Sequence, residues 1–312
     1  MKNENLCTEI VQDIETGFIN FPHVKRILTT LDRLRERQCG KGMAKHIVLL
    51  GESGVGKSTL LTRYVEKHPR IVHEELTEVP VLFAEIDQSP NPKRMAGTLL
   101  EALGDPKWDV GKEEHLTARF VLLMKRCRVR LVLLDEANHL IDRGGEKTLH
   151  TSGDWIKRVA NKTRVPFVLA GIPRTKRLFA TNDQVRGRFR EIITIDRFSL
   201  ANKSAEHEFR SVLKAFKGYL RELPTIDLSG VAITRQFAFA TDGRLREIQS
   251  LLARAVELAY EQPDPRLTVA VLAEAFRTVI YPGSPDKRNP FHKAFDEMPL
   301  VKGDEPFAPV ER

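Results

Sequence analysis

Residues 51 to 58 read Gly51-Glu52-Ser53-Gly54-Val55-Gly56-Lys57-Ser58, the pattern G-x-x-x-x-G-K-[ST], directly after the apolar run His46-Ile47-Val48-Leu49-Leu50. A buried strand, a glycine-rich turn and a following helical stretch (Leu60, Leu61, Tyr64, Val65) are the context that turns this spacing into a phosphate-binding loop. Gly51, Gly54 and Gly56 let the backbone aim N–H groups inward, and the helix beginning near Lys57 points its positive dipole end at the same place. Lys57 is then placed to pair with β- and γ-phosphates, and the Ser58 hydroxyl to coordinate Mg²⁺. Glu52, Ser53, Gly54, Val55, Gly56, Lys57, Ser58 and Thr59 are the expected nucleotide contacts, with Thr59 one residue too late for the metal.

Such a site needs a second half, an apolar strand ending in a carboxylate, and Leu131-Val132-Leu133-Leu134-Asp135-Glu136 supplies it. An Asp-Glu pair by itself is common and ordinarily ends a strand in solvent. Coupled to the phosphate loop, with a whole α/β unit between, it places two acids in the ligand crevice at the carboxyl ends of parallel strands. Asp135 is expected to hold Mg²⁺ and contact the nucleotide, and Glu136 to polarise an attacking water. The expected ligands are thus ATP and Mg²⁺, with hydrolysis to ADP and phosphate.

A chain of 312 residues suffices for one α/β domain and a smaller one. No apolar run approaches the ~18 residues of a membrane span, and the polar start Met1-Lys2-Asn3-Glu4-Asn5 lacks a signal-peptide layout, so a cytoplasmic protein without a membrane partner is expected. Cys7, Cys39 and Cys127 have no paired spacing, which argues against zinc and disulfides. The formal charge of +8 is concentrated: residues 157 to 197 hold eleven Lys and Arg against Asp183, Glu191 and Asp196, so the whole excess sits in this stretch. It reads either as a solvated basic face or as a surface for an anionic partner.

Along the chain, Val24, Ile27, Leu28, Leu31 and Leu34 predict a helix over 24–37, stopped by Cys39-Gly40-Lys41-Gly42. Strands are expected at 46–50, 81–86, 131–134, 165–170 and 192–195, with helices near 93–103, 113–127, 153–163 and 174–189. This alternation predicts a doubly wound parallel sheet. From about residue 200 only helices follow, around Phe209 to Phe216, at 230–240, at 244–260 and at 268–279 capped by Thr268. Six prolines between Pro282 and Pro309 then predict an extended tail. The expected division is 1–45 as N-terminal segment and linker helix, 46–200 as nucleotide-binding core, 201–281 as helical lid, and 282–312 as tail.

A phosphate-loop core with Asp-Glu on its third core strand, followed by a helical domain, resembles the AAA+ ATPases. The run Asn182-Asp183-Gln184-Val185-Arg186-Gly187-Arg188-Phe189 is similar to the superfamily segment carrying the arginine finger, with Arg188 the better match and Arg186 the alternative. Thr241-Asp242-Gly243-Arg244-Leu245-Arg246-Glu247 is similar to the segment opening a lid helix, where Arg246, ahead of Arg244, fits the second-sensor arginine. The resemblance therefore implies Glu136, Arg188 and Arg246 as catalytic residues. One departure stands out: the end of the fourth core strand, Ala170-Gly171-Ile172-Pro173, offers no polar first-sensor residue, which leaves Thr175 or a side chain outside this strand to substitute.

Within that superfamily, Phe21-Pro22-His23-Val24, the phosphate loop, Leu133-Leu134-Asp135-Glu136-Ala137-Asn138-His139-Leu140 and Val165-Pro166-Phe167-Val168-Leu169-Ala170-Gly171-Ile172-Pro173 together resemble the TniB/TnsC family of transposition ATPases over roughly residues 15 to 280. That resemblance implies an ATP-dependent homo-oligomer, ring or filament, on double-stranded DNA that marks target sites and works with a transposase and a target-selection protein. A replication initiator or clamp loader is the alternative, and a nucleotide-dependent signalling switch a third reading that the charge excess argues against. For DNA, Lys93 and Arg94 lead, because Ser89-Pro90-Asn91-Pro92 is a rigid turn that opens a helix with two cations; Arg119 and Lys147 stand behind them.

Overall fold

The computed structural model describes residues 2–36, 44–142, 145–181 and 187–309. The chain divides into two compact units, Pro22–Asp196 and Met1–Phe21 with Arg197–Arg312.

The first unit is a five-stranded sheet built from β1 (Ile47–Gly51), β4 (Val81–Glu85), β5 (Leu131–Asp135), β6 (Phe167–Gly171) and β7 (Glu191–Ile195), in the order β4-β5-β6-β1-β7. All four pairings are parallel. A short antiparallel ribbon, β2 (Ile71–Val72) with β3 (Thr77–Glu78), stands apart and has no signal in the sequence, being two residues per strand and largely exposed. The sheet is apolar on both sides because both sides are covered. Leu82, Ala84, Val132, Leu134, Phe167, Leu169, Val48 and Leu50 alternate onto one face. There they meet α4 (Pro92–Leu103), α5 (Glu113–Arg126) and α7 (Gly145–Thr163) through Met95, Leu99, Phe120, Met124, Trp155 and Val159. Ile47, Leu49, Leu133, Val168 and Ala170, on the alternate positions, are equally buried. Burying a Leu- or Ile-sized side chain contributes about 1.5–3 kcal/mol, so this double-sided packing is what holds a parallel sheet together.

The connection order fixes where a ligand can sit. From β1 the chain runs to the edge strand β4, returns through β5 and β6, and only then passes to β7 on the other side. The strand order reverses at β1, and such a switch point opens a crevice beyond the carboxyl ends of the strands.

Three further helices complete this unit: α2 (Pro22–Glu36), α3 (Lys57–Glu66) and the short α6 (His139–Asp142). The five apolar residues expected on one face of α2 are all buried. Asp32 of α2 accepts a hydrogen bond from the Tyr64 hydroxyl of α3 at 2.9 Å, which fastens α2 to the helix that follows the phosphate loop. The expected stop at Cys39-Gly40-Lys41-Gly42 lies outside the described residues. In place of a single helix over 174–189, a 3₁₀ turn (Pro173–Thr175) runs into α8 (Lys176–Thr181), and Gly187 and Arg188 form a turn before β7.

The second unit is helical: α1 (Lys2–Thr16), α9 (Lys203–Tyr219), α10 (Val231–Thr241), α11 (Leu245–Tyr260) and α12 (Val269–Ala275), the last continued by a π-helical turn, Phe276–Ile280. Thr268 caps α12 as expected, accepting from Val271 N at 3.3 Å. The turn between α10 and α11 needs its glycine. Gly243 has φ +66°, and a Cβ there would collide with the Phe198 carbonyl oxygen. Helix α1, which joins this unit rather than acting as a linker, is docked by Ile10 and Ile14 and by the Gln249 amide donating to Ile14 O at 2.9 Å.

The proline-rich segment expected as an extended tail is instead folded against this unit as far as Ala308 and Pro309. Arg288 is buried and holds Glu305 (2.5 Å), Asp296 (2.7 Å) and the Pro299 carbonyl (2.8 Å) at once. Asn289 donates to Ala273 O at 2.9 Å, and the Phe291 ring packs on Phe237 at 5.4 Å. Prolines exclude helix but not burial, and one guanidinium, with its fixed fork of N–H donors, gathers carboxylates and carbonyls from along the segment.

Candidate functional site

The phosphate loop connects β1 to α3. Gly54 and Gly56 have φ +82° and +93°, conformations that side-chain-bearing residues rarely adopt. Gly51 has no room for a side chain, since a Cβ would lie 2.8 Å from both the Ile195 carbonyl oxygen and Val55 Cγ2. Lys57 is buried and arches back over the loop, its Nζ donating to the carbonyls of Gly51 (2.7 Å) and Glu52 (2.8 Å). A primary ammonium held over a ring of turned backbone, at the start of a ten-residue helix, fits a polyphosphate. Ser58 and Thr59 are exposed on the first turn of α3.

Strand β6 lies between β1 and β5, so the acidic pair faces the loop across one intervening strand. The Ser58 hydroxyl closes that distance and donates to Asp135 Oδ2 at 2.6 Å. Asp135 is almost fully buried, and its other oxygen accepts the Glu136 N–H at 2.8 Å. Hydroxyl and carboxylate at this spacing are hard oxygen donors suited to share a Mg²⁺ with phosphate oxygens. Glu136 sits at φ +55°, a left-handed conformation that costs a non-glycine residue of order 1 kcal/mol and persists only where its surroundings impose it.

Those surroundings are visible on both sides. Ala137 N–H donates to Ala170 O of β6 at 2.8 Å, while Ile86 N–H, just past β4, donates to Asp135 O at 3.0 Å. His139 Nδ1–H donates to the Ile86 carbonyl at 2.6 Å. The Asn138 amide donates to Glu136 Oε2 at 3.1 Å. The turn carrying both acids is therefore pinned to the neighbouring strands, and Asn138 holds the Glu136 carboxylate. His139 and Asn138 stand in the motif that carries the family resemblance, yet their spacing gives no sign of these partners.

The arginines divide. Arg188 precedes β7 where that strand begins, beside the amino end of β1: Phe189 stacks on His46 with 5.1 Å between ring centroids, and Glu191 pairs with Ile47. The phosphate loop leaves the other end of β1, about 13 Å away at ~3.3 Å per residue. Arg188 is thus at the edge of the sheet opposite Lys57 of its own chain, and Arg186 lies outside the described residues. Arg244 and Arg246 belong to the helical unit. Arg244 pairs with Asp242 at 3.2 Å and lies over the Phe307 ring, whereas Arg246 is exposed on the first turn of α11.

His46 Nδ1 accepts the Phe167 N–H at 3.1 Å, which requires the proton on Nε2. Burial, with a smaller contribution from the Arg188 charge, pushes its pKa from 6.5 down to about 4.

Of the residues expected to meet DNA, Lys93 and Arg94 are exposed on the first turn of α4. The helix end between them is less open than its sequence implies, because Asn91 Oδ1 accepts the Arg94 N–H at 3.0 Å and Pro92 has none to offer. What remains for a phosphate is mainly side-chain charge. Arg119 is committed to Asp105 at 2.6 Å. Lys147 lies in α7, its side chain outside the described residues. The basic stretch is not one patch either: Lys162 and Arg164 precede β6 and Arg190 precedes β7, at one edge of the sheet, while Arg174, Lys176 and Arg177 follow β6 at the other. Arg158 pairs with Glu113 at 2.8 Å, and Arg197 with Asp242 in the helical unit.

A parallel sheet in this order, with a phosphate loop after β1, an acidic pair after β5 and a helical domain following, defines an AAA+ ATPase fold. Solved structures with the same fold include Cdc6p from Pyrobaculum aerophilum, with TM-score 0.64 and 18% identity over 88% of this chain and 73% of that one. They also include the Aeropyrum pernix ORC1 protein in complex with DNA, with TM-score 0.62 and 17% identity over 85% and 67%. The ORC2 protein of Aeropyrum pernix in ADPNP–ADP complexes gives TM-score 0.61 and 16% identity over 85% and 70%. No curated protein matches the chain. The family profile described as bacterial TniB protein matches residues 11–199, well over half of the sequence, and the chain belongs to that family. Among the described residues, no helix is long and apolar enough to cross a membrane.

Proposed function

We propose that this chain is an ATP-hydrolysing regulator of transposition that assembles on double-stranded DNA, marks target sites and engages a transposase with its target-selection partner. The observation that carries the reading is the Ser58–Asp135 hydrogen bond with Glu136 held beside it, in a chain of the TniB family.

The chemistry follows from the side chains. Lys57 exchanges its two carbonyl partners for β- and γ-phosphate oxygens. Ser58 and Asp135 would hold Mg²⁺, which offsets phosphate charge when bound. Glu136 accepts the proton of the water that attacks the γ-phosphorus, and the bond from that phosphorus to the bridging oxygen breaks to leave ADP. Arg188, at the far edge of the sheet, acts on the γ-phosphate of a neighbouring copy, and Arg246 completes the site from the helical unit. DNA contacts are to the phosphate backbone, with Lys93 and Arg94 leading.

The test is ATP turnover with and without double-stranded DNA, followed by imaging on DNA with a non-hydrolysable nucleotide. The expected result is DNA-stimulated turnover and nucleotide-dependent assemblies along the duplex. Turnover indifferent to DNA, with no assembly, would leave a nucleotide switch and overturn the reading.

A further inference from the structure

The end of β6 is the part of the site with least polar chemistry in sequence, because Ala170, Gly171 and Ile172 offer no side-chain hydrogen-bonding group. One residue brings such a group back. Thr175 closes the 3₁₀ turn after β6, its N–H donating to Ile172 O at 2.9 Å, and it is fully buried. Its hydroxyl is folded over the strand end: a Cβ on Gly171 would stand 2.5 Å from Thr175 Oγ1 and 3.3 Å from Asn138 N. Gly171 therefore clears the space that Thr175 fills, and the same point lies against the backbone of the residue whose amide holds Glu136.

Thr175 Oγ1 has no hydrogen-bond partner among the described residues. A buried hydroxyl without a partner is costly and uncommon, and a valine of the same shape would avoid the cost. A threonine kept in this position, between the strand that carries the phosphate loop and the strand that carries Glu136, has its use when the crevice is filled. We infer that the Thr175 hydroxyl is the polar group missing from the end of β6, donating to the attacking water or a γ-phosphate oxygen beside Glu136. This inference rests on the hydrolysis reading above and adds a residue to it. The group forms no covalent bond and takes no proton; it orients the water whose proton goes to Glu136.

Thr175→Val and Thr175→Ser, beside the parent and Lys57→Ala, test it in the full chain with Mg²⁺-ATP. The valine variant should lose about a hundredfold in kcat, the size typical of removing one preorganised donor. Its affinity for a fluorescent ATP analogue should stay within about threefold and its melting temperature unchanged or raised, since an unsatisfied buried hydroxyl has been removed. The serine variant should keep most of the turnover. Valine turnover equal to the parent overturns the inference while the hydrolysis reading stands. Equal losses in both variants with lowered melting temperatures assign Thr175 to packing and overturn it too. A parent with no turnover above Lys57→Ala removes the hydrolysis reading and this inference with it.

Discussion

Phe189 stacks on His46 where β1 begins, 5.1 Å between ring centroids, and so fixes Arg188 at the edge of the sheet that its own Lys57 does not occupy. An arginine there has a γ-phosphate within reach only on another copy of the chain. Arg188→Ala should lose turnover while keeping ATP affinity, and adding Lys57→Ala protein should restore part of it, since each variant supplies what the other lacks. Specific activity of Arg188→Ala equal to the parent at every concentration rules the arrangement out.

The two charged ends of the phosphate site should separate in their phenotypes. Lys57→Ala removes charge-assisted hydrogen bonds of about 1.5–3 kcal/mol each, so nucleotide affinity should fall ten- to hundredfold or more. Glu136→Gln should bind ATP about as well as the parent but turn over at least ~100-fold more slowly, the loss expected of a general base. Titration with a fluorescent analogue and single-turnover hydrolysis distinguish them.

Acid stability should report His46. Its pKa is about 4 in the folded chain against 6.5 ordinarily, so the unfolded chain takes up the proton first. Stability is full above about pH 6.5 and is lost as the pH falls toward 4, by about 3 kcal/mol at the limit. Denaturant midpoints measured across that window should move much less in His46→Asn, whose side-chain oxygen can still accept from Phe167.

Salt dependence locates DNA. If Lys93 and Arg94 neutralise phosphates, the parent's log–log salt slope should flatten in Lys93→Ala with Arg94→Ala by about 0.9 for each phosphate no longer neutralised, with DNA-free ATP binding intact. An unchanged slope points to one of the two separated groups around β6, and charge reversal at Lys176 and Arg177 against Lys162 and Arg164 tells which.

Arg288→Met should destabilise the helical unit by about 3–5 kcal/mol, because it strands Glu305 and Asp296 near buried surface. Limited proteolysis between residues 286 and 305 should accelerate in parallel.

The sheet was legible because parallel strands buried on both faces write themselves as unbroken apolar runs, and Val48-Leu49-Leu50 or Leu131 to Leu134 could hardly be anything else. The meeting of Ser58 with Asp135 was legible for the same reason, since motif and strand end fix both. The docking of α1 was not: Ile10 and Ile14 make a narrow stripe whose partner Gln249 is far along the chain. Nor was the folding of the proline-rich segment, where the signal is a single arginine whose burial depends on acids 8 and 17 residues away. Proline content announces the lack of helix and is silent on packing.

The separation of Lys57 from Arg188 by the length of β1 has a consequence for any polymer joined through them. Each junction unites unlike surfaces, so every such array has a direction: one terminal copy shows an arginine with no nucleotide to touch, the other a nucleotide with no arginine to complete it. Growth, loss of subunits and recruitment of a partner at the two tips are then chemically different events, and a closed ring alone would erase the difference.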